Sequence, residues 1–205
     1  MVPEAADVAG WIAASRAKGA RTMRTGALFP PATSAFVDAG FRVAETLTLL
    51  TRRTGDEAPT AAAVSGHRIR KLRRHQLDDA ARVDAASFAG PWSNDAEALA
   101  DIMAATPRFR ARGIRVDGAI VGFAISGLAA RTGYLQRLAV MPDRRRQGLA
   151  RALVGDSLAW MRRHGADLAM VNTASDNDAA LSLYRSFGFA EQPQPLLILE
   201  RELDT

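Results

Sequence analysis

Apolar residues in this chain recur with two periods, and the switch between them marks its centre. Tyr134–Val140 is a short, mostly apolar run bounded by Gly133 and by Met141-Pro142. That layout predicts a strand ending where proline cannot continue a ladder. Further on, Ala150, Leu153, Val154, Ser157, Leu158 and Met161 are spaced by threes and fours. A helix is therefore predicted from near Gly148 to about His164, with Gly165 as its stop. Between the two lies a turn, Asp143–Gln147, carrying Arg144, Arg145 and Arg146.

The same reading orders the rest of the second half. A strand is predicted over His67–Arg73, then a helix over Leu77–Phe88 with Leu77, Ala80, Ala81, Asp84, Ala85 and Phe88 on one face. Gly90-Pro91 interrupts it, and Asn94 with Glu97 suggests a capping box for a short helix, Asp95–Ala105. Arg110–Val116 and Ala119–Ile125 flank Asp117-Gly118, a two-residue hairpin signal. Leu168–Thr173 reads as a strand, Asp178–Phe187 as a helix with Asp176 near its N-cap and Gly188 at its end, and Leu196–Glu200 as a last strand.

The first 53 residues repeat the end of the chain. Lys18-Gly19-Ala20 parallels His164-Gly165-Ala166, and Gly40-Phe41 parallels Gly188-Phe189. A helix over Asp7–Lys18, a strand near Arg21–Ala27, a helix after Pro30-Pro31 and a strand over Arg42–Leu50 follow the same αβαβ order. This copy has no Arg-rich loop, and Phe36 stands where the other copy has Tyr184. Thr54–Gly66, rich in Gly, Ala, Pro and Thr, is read as a linker between residues 1–53 and 67–205.

A strand, a basic turn and a helix beginning with small residues have a chemical use. The first turn of a helix leaves N–H groups without partners and carries partial positive charge, so it can receive a pyrophosphate. Gly148 lets a ligand approach the backbone, and the arginines add full charges.

At these residues a family resemblance becomes specific. Arg145-Arg146-Gln147-Gly148-Leu149-Ala150 resembles the Gln/Arg-x-x-Gly-x-Gly/Ala motif of the GNAT family, the acetyl-CoA-dependent N-acetyltransferases. Asn177, Ala180, Leu183-Tyr184 and Gly188-Phe189 are similar to its second signature, Asn-x-x-Ala-x-x-Leu-Tyr-x-x-x-Gly-Phe. Phe88-Ala89-Gly90-Pro91-Trp92-Ser93 resembles a Pro-Trp-Ser segment of the ribosomal-protein alanine N-acetyltransferases within that family. The resemblance implies an α/β GNAT fold, a mixed and mostly antiparallel sheet flanked by helices. Residues 67–205 would form the complete domain and residues 1–53 half of a second one, a structural remnant that packs on the complete domain or forms a homodimer surface.

The resemblance also implies roles. The backbone of Leu138, Ala139 and Val140 would hold the pantetheine arm of acetyl-CoA, like an added strand. Arg145, Arg146, Gln147, Gly148, Leu149, Ala150 and Arg151 would surround its pyrophosphate, and Asn177 would contact the cofactor or a water. Tyr184 would be the general acid for the departing thiolate, and Trp92 would shape the acceptor pocket. Relatives carry Glu where this chain has Asn172, so the base would be a water held by Asn172, a backbone carbonyl, or Glu97 or Asp95. Deprotonating an ammonium at pH 7 costs about 1.4 kcal/mol per pKa unit, so a weak base suits α-amines better than lysine.

Composition narrows the mechanism. Among the 205 residues there is no cysteine, which excludes disulfides, thiolate metal sites and a Cys acyl-enzyme. Acetyl would then pass directly to a primary amine, at a protein N-terminus or on a small molecule, in a ternary complex. His67, His75 and His164 have no metal-ligand spacing, so no metal is assigned. The net charge of +5 suits a polyanionic cosubstrate, and no folded nucleic-acid-binding motif is present. Without a signal-peptide layout or a run of roughly 18 apolar residues, the expected setting is cytoplasmic, with no membrane contact. The rival expectation is a non-catalytic acyl-CoA-binding or scaffolding protein.

Overall fold

The computed structural model describes residues 2–56, 68–88 and 90–203. From residue 57 on, the predicted linker lies outside the described residues, as do His67 and Ala89. The chain forms two compact units: Thr51–Val171 with Ser186–Phe189, and a second that joins the residues up to Leu50, Asn172–Arg185 and the chain from Ala190 on.

The first unit holds β3 (Ile69–Lys71), α3 (Leu77–Ser87), α4 (Ala96–Ala104), β4 (Arg108–Val116), β5 (Ala119–Ala129), β6 (Thr132–Val140), α5 (Leu149–Arg163) and the start of β7 (Leu168–Ala174). Strands β3 to β6 pair antiparallel in chain order, and β7 pairs parallel with β6. Asp117 and Gly118 both adopt positive φ, 50° and 82°, as the twisted two-residue hairpin requires. Strand β5 is buried along nearly its whole length because both faces are covered. Phe123 and Ile125 pack with Leu77, Ala80, Val83, Leu99 and Met103 of α3 and α4. The space beside Gly122 is bounded by Leu153 of α5.

The second unit holds α1 (Ala5–Ala17), β1 (Thr22–Arg24), α2 (Ser34–Asp38), most of β2 (Arg42–Arg53), the end of β7, α6 (Asp178–Arg185), β8 (Ala190–Glu191) and β9 (Leu196–Glu202). Strand β9 lies antiparallel between β1 and β2. Val8, Ile12, Phe36 and Phe41 bury their side chains with Leu199 and Leu203. The predicted N-terminal αβαβ order is observed, with its second helix split by Pro30-Pro31 into a 3-10 turn and α2. The two copies share local geometry: left-handed Gly40 precedes buried Phe41, and left-handed Gly188 precedes buried Phe189.

Three sequence expectations are corrected. Asp95, not Asn94, caps α4, its Oδ1 accepting from the Ala98 N–H at 2.8 Å. Asn177 rather than Asp176 caps α6, its Oδ1 accepting from the Ala180 N–H at 3.1 Å. Thr54, the first residue of the predicted linker, is buried, with its N–H donating to the Asp167 carbonyl at 2.9 Å. At the two caps neighbouring residues of similar chemistry compete, and the backbone geometry selects between them.

Candidate active site

The basic turn has the geometry of an anion cradle. Gly148 is the N-cap of α5 with φ 78°, and no side chain caps the helix. Arg146 is also left-handed, at φ 60°, which costs a non-glycine residue about 1–2 kcal/mol. Left-handed Arg146 and Gly148 flank Gln147, a type of turn in which backbone N–H groups can converge on an anion, and the uncapped helix start adds further donors and positive potential. Arg145, Arg146 and Gln147 are exposed, while Arg151 donates to Ser186 Oγ at 2.8 Å and lies over the Phe187 ring. Leu149 is buried and anchors the helix start, and Ala150 is partly buried. The donor set fits a pyrophosphate: backbone N–H groups unspent on a side-chain cap, with arginines at the rim.

Strand β6 supplies an open backbone edge beside this cradle. Its pairing with β7 runs only from Thr132 to Tyr134, although β6 continues to Val140. On the other edge, Leu138, Ala139 and Val140 pair with Ala124, Phe123 and Gly122 of β5. The β5 register shifts so that Gln136 is an extra residue in β6. Such a bulge bends and twists its strand, which accounts for the short β6–β7 ladder. Among the described residues Leu138–Val140 therefore have one satisfied edge and one without a ladder partner, as strand-like ligand binding requires.

Asn172, Asn177 and Tyr184 belong to the second unit. Asn172 lies exposed on β7, beyond the last pair with β6. Asn177 is exposed, with its side-chain oxygen occupied by the cap of α6. Tyr184 is buried at 5% relative exposure, and burial pushes its phenol well above the ordinary value of 10. The group thus keeps its proton through neutral and mildly alkaline pH. Of the alternative bases, Asp95 Oδ1 is occupied by the α4 cap, while Glu97 is exposed in the first helical turn.

Trp92 is partly buried, and its carbonyl accepts from Arg137 Nη2 at 2.6 Å. That guanidinium also binds Asp84, a fully buried carboxylate on the otherwise apolar face of α3. In the sequence Asp84 stands on that face without an evident partner, and Arg137 belongs to no motif. An acidic residue inside an apolar stripe was the available signal, because a buried charge must be paired.

With this geometry in place, comparison with known proteins is decisive. The pattern of the Acetyltransferase (GNAT) family matches residues 76–189, more than half of the chain. The chain belongs to the GNAT family. It is thereby an N-acetyltransferase, and acetyl-CoA is the family's acetyl donor. The [ribosomal protein bS18]-alanine N-acetyltransferase of Escherichia coli K12 is 29% identical over 123 residues, covering 60% of this chain and 80% of that protein. Mycothiol acetyltransferase of Salinispora arenicola is 33% identical over 178 residues, covering 78% of this chain and 57% of that protein. Among solved structures, a tandem GNAT protein from the clavulanic acid biosynthesis pathway superposes with a TM-score of 0.67 at 17% identity, covering 98% of this chain and 70% of that one. This last likeness concerns the fold.

Among the described residues no group of three or more His, Asp or Glu side chains could hold a metal ion, and no helix is long and apolar enough to cross a membrane.

Proposed function

We propose that this GNAT domain acetylates a primary amine of low pKa, an α-amine at a protein N-terminus or on a small molecule, by direct attack in a ternary complex. The observation that carries the reading is the uncapped start of α5 with left-handed Arg146 and Gly148. Acetyl-CoA, when bound, supplies an acetyl carbon that forms a C–N bond with the amine as its C–S bond breaks. The N–H groups from Arg146 to Arg151 hold the pyrophosphate, and the open edge of Leu138–Val140 aligns the pantetheine arm. Tyr184 donates a hydrogen bond to the departing sulfur, which leaves as the thiolate and takes its proton from solvent. A phenol raised above 10 does not protonate a thiolate outright, whose conjugate acid lies near ~8.5, so its main contribution is stabilising charge as it develops. The proton lost by the amine passes to water beside Asn172, which cannot itself accept it.

A relative named for N-acetylation of an alanine supports an amine acceptor for this chain as well. Residues 1–53 are read as the second half of a further GNAT repeat, supported by the shared Gly-Phe geometry and by the tandem GNAT likeness. The rival, acyl-CoA binding without turnover, rests on Asn172 standing in place of a carboxylate. Calorimetric titration with acetyl-CoA, with Gly148→Glu as control, tests the cradle. Micromolar binding that the variant loses supports the proposal, and no binding by the wild type sinks it. Acetylation of an alanine-initiated peptide then separates enzyme from binding protein.

A further inference from the structure

The cluster around Asp84 and Arg137 lies outside the acyl-transfer groups described so far. Asp84, on α3, has a side chain with no solvent exposure, and that of Arg137, on β6, is 17% exposed. Arg137 Nε and Nη2 donate to the two carboxylate oxygens of Asp84, each at 2.6 Å, a bidentate charged pair. The guanidinium has three further partners, all in the segment joining α3 to α4. Its Nη2 donates to the Trp92 carbonyl at 2.6 Å, its carbon lies 3.6 Å from the Phe88 ring centroid, and Asn94 completes the ring. The Asn94 N–H donates to Asp84 Oδ1 at 2.7 Å. With its amide oxygen turned to the guanidinium, Asn94 accepts from Nη2 at 2.9 Å and from Nε at 3.2 Å.

One charged pair thus ties the beginning, middle and end of this segment to β6. The attachment is at Arg137, directly before the open edge Leu138–Val140. The end of α3 is joined to the same region: Ser87 Oγ lies 3.1 Å from the Val140 carbonyl, and the Ser87 carbonyl accepts from Arg145 at 3.5 Å. A planar guanidinium with five donors can hold a carboxylate and a carbonyl together, which a lysine ammonium does less rigidly. A solvated loop would need no such fixture, and a buried ion pair is costly to assemble and adds little net stability.

The geometry points to Asp84 and Arg137 as positioning residues that hold Phe88, Trp92 and Asn94 at a fixed distance from the strand edge Leu138–Val140, and so govern affinity for the acceptor amine. This rests on the acetyltransferase reading above. Arg137 reaches no acceptor as a free charge, because Asp84 neutralises it. A cationic acceptor therefore meets a pair without net charge.

The test uses the full chain. Removing Arg137 alone would leave Asp84 buried and unpaired and could unfold the protein, so Asp84→Leu/Arg137→Met, which removes both charges, is the main variant. In a Trp11→Phe/Trp160→Phe background, acrylamide quenching reports Trp92 alone. The paired variant should raise the quenching constant about twofold, as a released segment gains solvent access. With an alanine-initiated peptide as the acceptor probe, its KM should rise about tenfold while the KM for acetyl-CoA stays within about twofold. Arg137→Lys should fall between the two. Unchanged Trp92 quenching, or a parallel rise in both KM values, overturns the proposal. If the wild type leaves the peptide unacetylated, the alanine-peptide acceptor fails, while Trp92 quenching and calorimetric CoA affinity still decide the positioning role. Higher quenching with retained CoA affinity then upholds it, and unchanged quenching sinks it.

Discussion

At the scale of single residues, Gly148 and Tyr184 show different degrees of legibility. Gly148 follows from the sequence motif because only a residue without Cβ adopts φ 78° freely while leaving the helix start open to a ligand. Gly148→Glu adds backbone strain and a negative charge at once, and CoA binding measured by calorimetry should disappear. Tyr184 could be picked from the sequence, but its burial could not. Its folded pKa lies above the unfolded value near ~10, so its stabilising contribution is complete below about pH 10 and is lost as pH rises through the folded value. Denaturant melts between about pH 9 and 11 should therefore show a smaller alkaline loss of stability for Tyr184→Phe than for the wild type. The same variant should lower kcat about a hundredfold with little change in the KM for acetyl-CoA, and Tyr184 should give the wild type no alkaline limb below about pH 10.

At the scale of elements, helix and strand positions were largely readable, and their ends were not. Period and bounding glycines located α5 and β6 because apolar spacing records which face is buried. Caps were misplaced by one residue at α4 and α6 because Asn94, Asp95, Asp176 and Asn177 can all serve chemically. Asn177 now has a measurable structural role. Asn177→Ala should destabilise the protein by about 1 kcal/mol in thermal unfolding, whereas Asn177→Asp should retain the cap. If both variants weaken acetyl-CoA affinity, Asn177 also contacts the cofactor. The bulge at Gln136, which parts β6 from β7, has no signature in the sequence because it is defined only by the partner register.

At the scale of the whole molecule, the surprise is where the N-terminal segment belongs. The sequence divides into residues 1–53 and 67–205, yet the unit containing residues up to Leu50 also contains α6 and β9. Strand β9 has β1 and β2 as its two neighbours, and Leu199 and Leu203 are buried with Val8, Ile12, Phe36 and Phe41. Deleting residues 1–53 would remove both ladders and expose that core. The truncated protein should aggregate or lose cooperative unfolding, as judged by size-exclusion chromatography and circular dichroism. A monomeric product with wild-type melting would show that β9 needs neither neighbour.

The sequence alone determined the local elements, the Arg-rich turn before α5, the absence of cysteine chemistry and the likeness between the two ends of the chain. These are legible because each depends on residues close together in the chain, through backbone sterics, helix periodicity and side-chain chemistry. Tertiary structure decided the Asp84–Arg137 pair, the burial of Tyr184, the bulge in β6 and the union of the N-terminal segment with β9. Each of these depends on residues far apart in sequence, whose pairing is set by burial and register in three dimensions rather than by spacing along the chain.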